Sequence, residues 1–100
     1  MSNYSDYTAK DIKFWILKIL SLDNDYKVNE NILQISLKGF GHNLSVNALR
    51  QNMADLEDVS LLELEVLNNL QIAKITRKGL DVVQGLSNSP LVRKPNPEEL

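Results

Sequence analysis

The apolar residues of this chain change period after Asp58, and that change constrains the fold more than any other feature. Before it they recur every three to four residues; from Leu62 to Val66 they alternate with glutamates. A 3.6-residue recurrence marks a helix with one buried side, and a period of two marks a strand with one buried face. A chain that shows the first pattern three times and then the second must set helices against a small sheet.

The first stripe is Ile12, Trp15, Ile16, Ile19 and Leu20, which predicts a helix from Ala9 to about Leu22. Thr8 is its expected N-cap, with Asp11 in the first turn. Phe14 and Leu17 widen the stripe, so this helix carries more apolar surface than one inward side requires. Exposed surface of that kind marks an interface, and it predicts a symmetric dimer through Trp15, Phe14, a fourth helix and the tail. Asp23-Asn24-Asp25 reads as a turn and Tyr26-Lys27-Val28 as a short extended piece. Asn29 caps a second helix, with Glu30 in its first turn and Ile32, Leu33, Leu37 and Phe40 as its buried face. Gly39 or Gly41 ends it.

Ser45 is the next N-cap, and Leu44 with Leu49 has the spacing of a hydrophobic staple. Val46, Leu49, Met53 and Leu56 form the inward face of a third helix. Two helices joined by Gly41-His42-Asn43-Leu44 resemble a helix-turn-helix. Leu62 to Val66 and Gln71 to Ile75 are two strands of a hairpin, turned at Asn68-Asn69, where asparagine tolerates positive φ. Thr76 caps a short fourth helix that carries Leu80 and Val83 and ends near Gly85. All three prolines, Pro90, Pro95 and Pro97, fall in the last segment. The fold class is therefore mainly α with a small β-hairpin, a winged helix-turn-helix. It divides into a disordered N-terminus (1–7), a domain (8–86) and an extended, largely disordered tail (87–100).

The order helix, short strand, helix, helix, hairpin, helix is that of a winged-helix domain. Ile75-Thr76-Arg77-Lys78-Gly79-Leu80 resembles the L-T-x-x-G step by which many bacterial winged-helix regulators leave the second wing strand. The chain as a whole is similar to a family of small, transcriptional-regulator-like proteins of Mu-like phages and prophages. The likeness runs from about Ile16 to Lys94. It rests on Asp25-Tyr26-Lys27-Val28-Asn29-Glu30, Gly41-His42, Thr76-Arg77-Lys78-Gly79-Leu80-Asp81-Val82 and Val92-Arg93-Lys94-Pro95. It implies a phage-encoded winged helix and no particular activity. One departure stands out: the step from third helix to wing has Val59 and Ser60 where that pattern often has a glycine.

A chain of 100 residues, 43% hydrophobic, suffices for one core. It has no cysteine and a single histidine, His42, which removes thiolate chemistry, disulfides and His-cluster metal sites. No apolar run approaches the length of a membrane span. The polar first residues do not resemble a signal peptide, and a cytoplasmic location is expected. No nucleophile–base pairing or Gly-rich phosphate loop is present as a motif, so no enzyme activity, cofactor or metal is expected.

Duplex DNA is the expected partner. With Val46, Leu49 and Met53 inward, Asn47, Arg50 and Gln51 point outward from the third helix. Arginine pairs bidentately with guanine, and asparagine or glutamine with adenine. The same three residues also suit an ordinary solvated face. Lys38, Lys74, Arg77 and Lys78 are the candidate phosphate contacts. Against them stand a net charge of −2 and Glu63 and Glu65 on the preceding strand, with a Glu65–Lys74 cross-strand pair as the alternative role. Lys10, Lys13 and Lys18 read as a solvated face of the first helix, and His42 as an exposed turn residue. A protein partner in phage assembly or DNA packaging is the competing function.

Overall fold

The computed structural model describes residues 3–100, with side chains from residue 5 onward. The described chain is mixed α/β. In order it runs α1 (Asn3–Leu22), β1 (Lys27–Asn29), α2 (Glu30–Gly39), α3 (Val46–Asp58), β2 (Leu62–Leu67), β3 (Leu70–Ile75) and α4 (Arg77–Val83). A 3-10 turn, Pro97–Glu99, follows. The expected hairpin is present, and the extended piece after α1 joins it as a third strand. The sheet is antiparallel in the order β1-β3-β2, with Lys27 opposite Lys74 and Glu63 also opposite Lys74.

Local chemistry sets most of the boundaries. The side chains of Asn29, Ser45 and Thr76 accept from the backbone N–H of Ile32, Ala48 and Gly79, which satisfies an orphan donor at each helix start. Asn68 and Asn69 both have positive φ, 52° and 64°, as a two-residue type I′ hairpin turn requires. Ser60 sits at φ 64°, in the left-handed place that glycine often fills between third helix and wing. Gly79 is required for a different reason. A Cβ there would lie 2.2 Å from the Leu61 carbonyl oxygen and 2.7 Å from Ile75 Cγ1. The glycine of the Thr-Arg-Lys-Gly step thus lets α4 close onto the base of the hairpin.

The core gathers Phe14, Ile16, Leu17 and Leu20 of α1, Leu33 and Leu37 of α2, and Leu49, Met53 and Leu56 of α3. Leu61, Leu62, Ala73 and Ile75 close it from the sheet side. Several expectations about facing are corrected. Ile32, Phe40 and Val46, expected inward, are exposed. Phe40 instead stacks on Trp15, with ring centroids 3.8 Å apart and planes 11° from parallel. The helix expected from Ala9 begins at Asn3, so Asn3 to Tyr7 are helical; Met1 and Ser2 lie outside the described residues.

The largest correction concerns the tail, which is neither free nor loose. Val92 is buried in the core, and the Arg93 N–H donates to the Lys10 carbonyl. The Arg93 guanidinium lies 4.0 Å over the Phe14 ring and is held by Asp11 and Glu99. Phe14, Ile16 and Leu17 are fully buried within one chain. The premise for a dimer through this side of α1 is removed, because the chain covers that surface itself.

Candidate nucleic-acid interface

The α3 face is built around a carboxylate at the junction of β1 and α2. The β1–β3 ladder places the Ile75 N–H on the Tyr26 carbonyl, with Val28 opposite Ala73. The next step along the ladder falls at residue 30, where the backbone has already turned into α2. There the Glu30 side chain stands in for a strand carbonyl, its Oε2 accepting from the Gln71 N–H at 2.6 Å. The same carboxylate takes both arms of Arg50, from Nε at 2.6 Å and from Nη2 at 2.8 Å. Arg50 Nη2 also donates to the Asn69 carbonyl at the hairpin tip, 3.2 Å away. One fork therefore ties α2, α3 and the tip of the wing-like hairpin together. Glu30 is only 3% exposed. The Arg50 hydrogen bonds hold its carboxyl below the ordinary value of 4.5 despite burial, and the pairing raises Arg50 in turn.

Asn47 and Gln51 lie on the exposed face of the same helix, with Gln51 Nε2 donating to Asp55 Oδ1 at 3.0 Å. Arg50 is turned toward Glu30 and the hairpin tip. Asn47, Arg50 and Gln51 thus lie together on α3, and Arg50 alone reaches the hairpin tip.

The four candidate phosphate contacts are not gathered. Lys38 is exposed in the last turn of α2. Lys74 is exposed mid-sheet, opposite Glu63. Arg77 is 3.9 Å from Asp81. Lys78 donates to the Val59 carbonyl at 3.0 Å, which places it at the base of the hairpin by the C-terminus of α3. Glu65 pairs with Lys27 at 3.2 Å, and not with Lys74, the partner of the alternative role. Asp55, Glu57 and Asp58 make that end of α3 acidic, and Glu57 accepts from the Leu64 N–H on the outer edge of β2. Nearly every cation near the sheet therefore has an acid or a carbonyl beside it.

Two residues read as solvated prove to be structural. Lys13 is buried, with Nζ 2.8 Å from Asn52 Oδ1 and 3.5 Å from Asp55 Oδ2, and so bolts α1 to α3. His42 Nε2 lies 2.7 Å from Asp11 Oδ2, and Asp11 in turn holds Arg93 of the tail. The turn before α3 is thereby braced by α1 and the tail. Glu30 and Asn69 carry roles that sequence reasoning missed. The available signal was an acid at a strand-to-helix junction, which reads equally well as a first-turn acid. Among the described residues no cluster of His, Cys, Asp or Glu is arranged to hold a metal, and no helix is long and apolar enough to cross a membrane.

No family model matches the chain. It is 31% identical over 93 residues to the "Uncharacterized protein gp26" of Escherichia phage Mu, covering 93% of this chain and 96% of that protein. It is also 28% identical over 99 residues to an "Uncharacterized protein" of Haemophilus influenzae, covering 98% of this chain and 96% of that one.

Proposed function

The chain belongs to the family of the phage Mu protein gp26, and we propose that it is a winged-helix protein that binds duplex DNA through α3 and the β2–β3 wing. The observation that carries this reading is the Glu30–Arg50–Asn69 fork. It ties the hairpin tip through Arg50 to the helix that exposes the amides of Asn47 and Gln51. A helix with exposed amides in its N-terminal half, flanked by a hairpin, is how such domains address the major groove. Asn47 and Gln51 are the base-reading residues in this arrangement. Arg50 acts from behind, as the residue that positions the wing. Arg77, Lys38, Lys74 and Lys78 supply a thin phosphate-contact set.

The test is a fluorescence anisotropy titration of a duplex selected from a random pool and of its scrambled counterpart, at several salt concentrations. The selected duplex is expected to bind at least tenfold more tightly. Asn47→Ala is expected to weaken it by about tenfold, on the scale of one lost bidentate base contact. Equal binding of both duplexes assigns the protein to backbone contact alone.

A second reading has its own observation. Val66 and Leu67 at the wing tip are 67% and 60% exposed, and Ile35 on α2 is 64% exposed. Apolar side chains displayed on a neutralised surface suit a protein partner in phage assembly or DNA packaging. Absence of duplex binding even at low salt favours this reading over the first.

A further inference from the structure

A cavity of about 270 Å³ opens between the end of α1 and α4, away from α3 and the wing. Its walls include Leu22, Leu80, Val83 and Leu100, and its polar groups include Lys18 and Tyr26. Tyr26 is unusual. Its φ is 59°, a left-handed conformation that a bulky side chain rarely adopts. The turn is over-determined by Asp23. Asp23 Oδ2 accepts from the N–H of Asp25 and Lys27 at 2.9 and 3.3 Å, and its carbonyl accepts from the Tyr26 N–H at 3.1 Å. Asparagine or glycine takes such a place at less cost, but neither sets a phenol ring at the cavity wall. Residues held in sparsely populated backbone conformations cluster at functional sites.

Lys18 supplies the charge. Its Nζ donates one proton to the Glu99 carbonyl at 2.5 Å, which leaves two. The Glu99 carboxylate is hydrogen-bonded by Arg93, and the Lys18 charge also acts on it from further away. Among the described residues Lys18 makes no salt bridge. Leu22 and Leu100 form an exposed apolar rim. A recess lined in one part by Leu22, Leu80, Val83 and Leu100 and in the other by Ser21, Gln84, Tyr26 and a cation matches a small molecule with an apolar chain and an anionic head.

We propose that this cavity binds a small amphipathic carboxylic acid, its chain against Leu22, Leu80 and Val83 and its carboxylate on Lys18, with Tyr26 at the cavity wall. The site uses neither α3 nor the wing, so it stands or falls separately from DNA binding.

The test is an amide NMR titration of the full chain with sodium octanoate, 1-octanol and octylammonium chloride. Octanoate is expected to shift the amides of Ser21, Leu22, Tyr26 and Val83 saturably, with Kd on the order of 1 mM. Octanol is expected to bind about tenfold more weakly, the loss of one charge-assisted hydrogen bond. Lys18→Met should remove that difference. Tyr26→Asn should leave thermal stability unchanged or raised, because the backbone strain is relieved, while octanoate binding falls. That opposition of signs separates a ligand-facing tyrosine from a merely structural one. The proposal is overturned if octanoate produces no saturable shift or if octylammonium binds as well as octanoate. It is also overturned if the same amides move with protein concentration alone, which makes the rim a contact between copies of the chain.

Discussion

Single side chains carry more of this structure than their sequence neighbourhoods suggest. Glu30 replaces a missing strand carbonyl, and Arg50 makes that replacement tolerable by neutralising a buried carboxylate. Arg50→Ala leaves the charge uncompensated and is expected to lower the thermal midpoint. In a Glu30→Gln background the same substitution should cost less, and a double-mutant cycle by thermal unfolding reads that coupling directly. The acid side of the stability curve follows from the same chemistry. Arg50 lowers Glu30, and Arg93 lowers Glu99, each from an ordinary 4.5. A folded-state pKa below the unfolded one means that stability is present above 4.5 and lost as pH falls through the folded values. Denaturant titrations from pH 7 down to 2 should show that loss, and Glu99→Gln should flatten it. Gly79→Ala forces a Cβ into the Leu61 carbonyl and is expected to destabilise by about 3 kcal/mol. A loss under 1 kcal/mol in chemical denaturation would show that α4 shifts away at little cost.

At the scale of elements, the sequence was legible where the determinant is local. Asn29, Ser45 and Thr76 mark helix starts, and Asn68-Asn69 marks the hairpin, because each works through a hydrogen bond or a φ angle a few residues away. What was illegible depends on contacts far apart in the chain. The tail's return onto α1 joins Arg93 to Asp11, the brace on His42 joins the α2–α3 turn to α1, and the Glu30 contact joins the start of α2 to Gln71. The excess apolar width of α1 is real; part of it is covered by the chain's own tail, through Arg93 over Phe14, and prolines and polarity made that tail look unstructured. Phe14→Ala removes a fully buried ring from beneath Arg93 and is expected to cost about 3–5 kcal/mol in chemical denaturation. Arg93→Ala should release the tail, seen as faster hydrogen exchange at the Arg93 amide position and as a change in emission from Trp15, the chain's one tryptophan. Unchanged exchange would mean that Val92 alone holds the segment.

For the molecule as a whole, charge placement sets what kind of DNA binding is possible. The net charge is −2, and the cations around the sheet and α4 sit beside Glu65, Glu63 and Asp81. A protein of this kind releases few counterions, so the logarithm of its binding constant should fall with the logarithm of salt at a slope of only about −2 to −3. On the proposed reading, discrimination comes mainly from Asn47 and Gln51 and from the fixed hairpin, not from a general attraction to phosphate. The measurement that tests this most directly is amide NMR of the labelled chain on addition of a selected duplex. The account predicts perturbations concentrated on Asn43 to Gln51 and on Val66 to Leu70, with the α1–α4 cavity unaffected. Perturbations spread over the lysines without a focus on α3, or none at all at low salt, would contradict it.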